Sequence, residues 1–99
     1  MVGKSIRFSS HLMDRLRRRA IDDEIPLAIL ENPIETLYDA KTEYEIALGE
    51  GFFRGKRRLF MVAYEEFGHE IVVVTAHPLE RGDVEKKIRS GRWTRWTQK

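Results

Sequence analysis

Polar and apolar side chains alternate over residues 4–8, with Ile6 and Phe8 on one side, and this period of two predicts a short first strand. The period then lengthens. Leu12, Met13, Leu16 and Ala20 recur at helical spacing, which predicts a helix over 10–19 capped by Ser9 or Ser10. His11, Arg15 and Arg18 form a separate stripe roughly opposite the apolar one, facing solvent or a ligand. Asp22 and Asp23 are candidate caps for a second helix, and Glu24 complements the positive end of its dipole. Pro26 is tolerated because it sits so early. Leu27, Ile29 and Leu30 supply buried positions, and Asn32 followed by Pro33 ends the helix.

Residues 34–38 and 44–53 are predicted strands, the second with Tyr44, Ile46, Leu48 and Phe52 on one face and Gly49 and Gly51 on the other. Glycines weaken a strand, so this pair marks a bulge or a close approach by another backbone or a ligand. Gly55 and Lys56 form a turn into 59–64, an unbroken apolar run typical of a central strand. A second turn at Phe67 and Gly68 leads to 71–77, rich in valine. The short links predict an antiparallel meander. Pro78 ends it. Gly82 and Asp83 introduce a last helix through Arg89, with Val84 and Ile88 on its buried side and Gly91 as its C-terminal cap. The expected order is βααββββα, a single α+β domain over 1–99 with a short basic and aromatic tail at 91–99.

Composition supports a chain that folds alone: 41% of its 99 residues are hydrophobic and 34% charged, away from the corner occupied by disordered chains. It has no cysteine, so disulfides, thiolate nucleophiles and Cys-based zinc sites are excluded. Arg15, Arg17, Arg18 and Arg19 interrupt the first twenty residues where a secretory signal needs apolar ones. The longest apolar run is far shorter than the ~20 residues that span a bilayer. A cytoplasmic protein without membrane contact is expected. The net charge of +2 hides sorting along the chain. Residues 1–19, 51–64 and 81–99 are basic, whereas 20–50 and 65–80 are acidic, and such blocks can build a bipolar surface that attracts a polyanion.

Phe8, Ser9 and His11 followed by Arg15, a second short helix ending in Asn32 and Pro33, a meander, and then Val73, Val74, Thr75 and Ala76 make a familiar series. It resembles an uncharacterised RelE/BrnT-like toxin domain family. The likeness covers residues 6–77, and the run 77–93 adds to it. It implies a small RelE-like α+β protein that cuts mRNA without a metal and is neutralised by an antitoxin encoded beside it. His11 and Arg15 match the His-x-x-x-Arg of the first helix, and Thr75 and Ala76 match the end of the last strand. The C-terminal catalytic tyrosine or histidine of the better-known toxins is not matched to a position here.

RNA carries its own nucleophile in the 2′-hydroxyl, so histidine and arginine suffice to cleave it. His11 could move the proton and Arg15 clamp the phosphate; the alternative is an exposed stripe that only meets solvent. His77, where the last strand ends, is either a second proton-transfer group or a hydrogen-bonding partner of the following turn. Arg18, together with Arg54, Lys56 and Arg58 around the central turn, would hold RNA, or those side chains form a solvated edge. In the tail, Trp93 and Trp96 could stack on unpaired bases while Arg92 and Arg95 meet phosphates. Alternatively one tryptophan packs onto the core, or the tail docks an antitoxin. His69 is expected to be a plain hairpin residue, and the tyrosines to be core or sheet residues. The scattered histidines lack a ligand spacing, so neither a metal nor any other cofactor is expected. Two functions remain: a toxin-type endoribonuclease, or a non-catalytic RNA-binding or protein-interaction module on the same fold.

Overall fold

In the computed structural model, which describes residues 4–95, strand β1 (Ser5–Phe8) runs into Ser9. The Ser9 hydroxyl accepts from the Leu12 amide at 3.1 Å and caps helix α1 (Ser10–Arg19). The helix stops at Ala20, whose left-handed backbone turns its amide back onto the Arg17 and Leu16 carbonyls. Helix α2 (Glu24–Glu31) follows. Asp23 occupies its N-cap position but makes no side-chain bond there, and Asp22 instead accepts from the Glu24 amide at 2.9 Å. Four strands come next: β2 (Glu35–Asp39), β3 (Glu45–Phe53), β4 (Lys56–Phe67) and β5 (Glu70–Pro78). Helix α3 (Arg81–Arg89) begins one residue before the expected Gly82, because Glu80 and Asp83 form a reciprocal capping box.

The sheet differs from the expected meander by what joins its two edges. Its order is β1-β5-β4-β3-β2-β6, six strands in an open, mixed sheet, with β1 parallel to β5 and the other neighbouring pairs antiparallel. The sixth strand, β6 (Trp93–Arg95), lies in what the sequence predicts as tail, and it pairs with Leu37–Asp39. The chain is thus α+β, with three helices and six strands in the described residues.

Both faces of the sheet are covered, which is why residues 59–64 are apolar without interruption. Phe60, Val62 and Tyr64 join Ala47, Ile71, Val73 and Ala76 in a cluster with Leu12 and Leu16 of α1 and Ile29 and Leu30 of α2. Met61 and Ala63 point the other way, toward Leu37, Ile46, Leu48, Val84 of α3 and Trp93. A bulge in β5 decides which face receives its last residues. Tyr64 pairs with Val73 but Ala63 with Thr75, so Val74 is extra and the alternation slips by one. Uninterrupted alternation from Ile71 and Val73 would carry His77 to the α1/α2 face. The slip instead pairs it with Met61, on the α3 face.

Beyond Leu48 in β3 and Phe60 in β4 neither strand has a further strand beside it, so their hairpin continues as a two-stranded arm. Its tip is Arg54–Gly55, both at positive φ (55° and 77°), as a two-residue hairpin turn with the native strand twist requires. Helix α2 presses on one face of the arm. A Cβ on Gly49 would lie 2.6 Å from Ile29 Cγ1, and one on Gly51 would lie 2.8 Å from Ile25 Cγ2. The two glycines therefore mark a close approach by a helix rather than by a ligand.

Candidate nucleic-acid interface

His11 and Arg15 are exposed on α1 and share no described cleft with His77, which pairs with Met61 on the α3 face but also borders a cleft with Arg19 at the end of α1. Neither His11 nor Arg15 lines any of the five cavities described for the chain. Arg18 is engaged in an exposed ion pair with Asp14 one turn back, at 2.8 Å.

His77 is half-buried and lies where three clefts meet. The first, about 470 Å³, is lined by Arg19 at the end of α1, Ile21, Phe53, Arg54, His77 and Pro78, with no acidic side chain. In the second, about 210 Å³, His77 and Thr75 share the floor with Tyr44, Met61 and Ala63, and Lys87, Arg92 and Trp93 form a wall. The third, about 280 Å³, runs from His77 and Leu79 to Lys86 and Lys87 on α3. The imidazole Nδ1 lies 3.0 Å from the Pro78 carbonyl oxygen. A carbonyl only accepts, so this contact is a hydrogen bond when Nδ1 carries the proton, which leaves Nε2 as the lone-pair nitrogen of the neutral ring. The hydrogen bond to the following turn and a basic Nε2 are therefore compatible roles, not alternatives.

Strand alternation sets Arg57 on one face of the arm and Lys56 and Arg58 on the other, yet all three border one cleft at its edge. Lys56 and Arg58 line a fourth cleft, about 480 Å³, with Arg57, Glu50, Glu80 and Arg81, between the arm and the start of α3. Arg58 meets Glu80 and Arg57 meets Glu50, each at 3.4 Å. Arg54 faces the His77 cleft, with its guanidinium 4.9 Å from the Phe53 ring centroid.

Three tail residues, Arg92, Trp93 and Arg95, make contacts within the fold. Trp93 is 2% exposed and donates its indole N–H to Asp39 at 3.0 Å, so its ring is a core element and not a platform for bases. Arg92 donates Nε to both carboxylate oxygens of Asp39, and Arg95 pairs with Glu35 across the β2–β6 edge. Trp96 lies outside the described residues. Asp39, 3% exposed, also accepts from the Lys41 and Thr42 amides. Burial alone would raise its pKa, but the bonds from Thr42, Trp93, Lys41 and Arg92 outweigh it and hold the carboxyl below the usual aspartate value. Burial pushes the Tyr64 phenol up to about 12, helped by the charges of Glu45 and Glu66, so it stays protonated near neutrality.

Sequence reasoning missed Arg19, Lys86, Lys87 and Asp39. Three of these carry ordinary signals, since cations in the last turn of a helix complement its dipole whatever else they do. Asp39 precedes a turn, as aspartates often do, and its Arg92 and Trp93 partners are 53 and 54 residues away. Among the described residues, no three His, Asp or Glu side chains converge to hold a metal ion, and no helix is long and apolar enough to cross a membrane. No family model, curated protein or solved structure matches the chain.

Proposed function

We propose that the chain is a RelE-like, metal-independent endoribonuclease of toxin type, cleaving mRNA in the cytoplasm within the groove around His77. The carrying observation is the meeting of three clefts at one half-buried histidine, walled by Arg19, Arg54, Lys86 and Lys87. These cations come from three separate basic blocks of the sequence. In this reading Arg19 and Arg54 bind the scissile phosphate and stabilise the charge that grows on it. His77 Nε2 takes the 2′-hydroxyl proton as the 2′-oxygen attacks phosphorus, then returns it to the departing 5′-oxygen, leaving a 2′,3′-cyclic phosphate. Positioned proton transfer of this kind contributes roughly 10²- to 10⁴-fold in rate.

Incubation of the purified protein with free or ribosome-bound mRNA in EDTA is expected to give products with cyclic phosphate ends. His77→Ala should abolish them, while His11→Ala, outside these clefts, should not. Absence of cleavage by the unaltered protein, or full activity of His77→Ala, removes the reading. An antitoxin is the protein partner it implies, and co-purification from the native host tests that.

One observation favours a second reading, a non-catalytic RNA-binding module: among the described residues, His77 has no titratable side chain hydrogen-bonded to it. That module would bind RNA with the same salt dependence, and His77→Ala would then leave affinity unchanged with no cleavage to lose.

A further inference from the structure

Resting on the RNA reading above, we infer that the β3–β4 arm is a base-stacking platform that selects single-stranded over duplex RNA, with Phe52 as the stacking residue. One face of the arm is closed by Ile25 and Ile29 of α2, packed against its glycines. The other face is open, and on it Phe52 is 64% exposed. Its cross-strand partner is Arg57, whose guanidinium lies 5.3 Å from the ring centroid. Phe53, next in sequence, turns to the opposite face and meets Phe60 edge-on at 6.1 Å, so it belongs to the core.

The surroundings of Phe52 point to a nucleobase. A protein-docking aromatic is the centre of an apolar patch. Phe52 is instead flanked on its own face by Glu50 and Arg57, and the adjoining cleft presents Lys56, Arg58 and Arg81. The ion pairs within that cleft, Arg57 to Glu50 and Arg58 to Glu80, are both long at 3.4 Å and exposed enough to exchange a carboxylate for a phosphate. Among the described residues Lys56 and Arg81 form no ion pair, the cleft's Glu50 and Glu80 being paired with Arg57 and Arg58. A lone ring beside a guanidinium plane, with further cations in a cleft at the edge of the same arm, is a combination by which proteins hold unpaired strands: bases stack while phosphates meet charge. Bases inside a duplex are already stacked on one another and offer the ring nothing. The arm also joins the two basic clefts, since Arg54 at its tip lines the His77 groove and Lys56 lines the other. A strand stacked on Phe52 would thus lead toward His77.

Fluorescence anisotropy with a short unstructured RNA oligonucleotide, alone and annealed to its complement, tests this at fixed salt. Phe52→Ala is expected to weaken single-strand binding about 5- to 100-fold, the effect of losing one stacked base. It should leave duplex binding and the salt slope unchanged, and Phe52→Trp should restore affinity. If Phe52→Ala binds the single strand normally while Arg54→Glu weakens it, the stacking role is overturned and RNA binding stands. Equal or tighter binding of the duplex by the unaltered protein overturns the selectivity. If Phe52→Ala loses only an antitoxin protein and no RNA, the surface is a protein interface and the inference is wrong. Failure of the unaltered protein to bind either RNA defeats both this inference and the reading beneath it.

Discussion

Arg54 holds φ at 55° at the tip of the arm, a left-handed conformation that costs an ordinary L-residue roughly 1–2 kcal/mol. Asparagine adopts it more readily, so a chain selected only for folding has reason to place Asn there before Gly55. Arg54→Asn is therefore expected to leave unfolding free energy unchanged or raise it by up to ~1 kcal/mol while weakening RNA binding. Denaturant melts and anisotropy on the same sample check both halves, and a loss of stability would show that the arginine is there for the fold. Asp39 is the opposite case, a charge retained for structure. Asp39→Ala strands the Trp93 N–H and the Arg92 guanidinium and should cost roughly 3–5 kcal/mol in a urea titration. Because the folded carboxyl titrates below its unfolded value, its contribution is present above the usual aspartate range, near pH 4, and is lost as pH falls through the depressed value. Tyr64 contributes to the alkaline limb. Its phenol, raised to about 12 in the fold, ionises near 10 once unfolded, so stability should fall by about 2–3 kcal/mol between those values. Tyr64→Phe should flatten that limb in melts followed by circular dichroism.

The arm and α2 form a unit whose rigidity depends on absent side chains. Gly49→Ala places a methyl against Ile29 Cγ1, so it should cost roughly 1–3 kcal/mol, and the loss should be less than additive with Ile29→Ala, which opens the space. Additivity in that double-mutant cycle would mean the helix does not hold the arm. The glycine pair was legible in the sequence as either a bulge or a close approach, and the structure shows the approach, made by Ile25 and Ile29 side chains of α2. The helices and the apolar strands were legible because their periods are long enough to count. The edges were not. β6 is three residues long, too short to show any period, and its register depends on Asp39, far away in sequence. Pairing of β1 with β5 rather than with a neighbour in sequence leaves no local trace. The bulge at Val74 was hidden too, since valine suits either face, and with it went the face on which His77 lies. The cations beside His77 include Arg19, Lys86 and Lys87, which the sequence did not single out.

Charge sorting acquires a spatial meaning once the blocks are folded. Cations from the first, third and fifth blocks, Arg19, Arg54, Lys86 and Lys87, line clefts that meet at His77. Some cations elsewhere are answered: at the start of β1, Lys4 pairs with Glu66 and Arg7 with Glu70, and at the far edge Arg95 pairs with Glu35. In the RNA reading, cations gathered around His77 would bias the field so that a polyanion is drawn toward that groove. The consequence is quantitative. Each phosphate met by a lysine or arginine releases condensed counterion, and for a single strand log K falls with log salt at a slope of about −0.7 per contact. Replacing Arg19 and Arg54 together by glutamine should therefore flatten the slope by roughly 1.4. Replacing the answered pair members Lys4 and Arg7 by glutamine should leave it unaltered, although both pairs of substitutions change the net charge equally. A slope that responds alike to the two would mean the molecule attracts RNA through its total charge, with no groove to receive it.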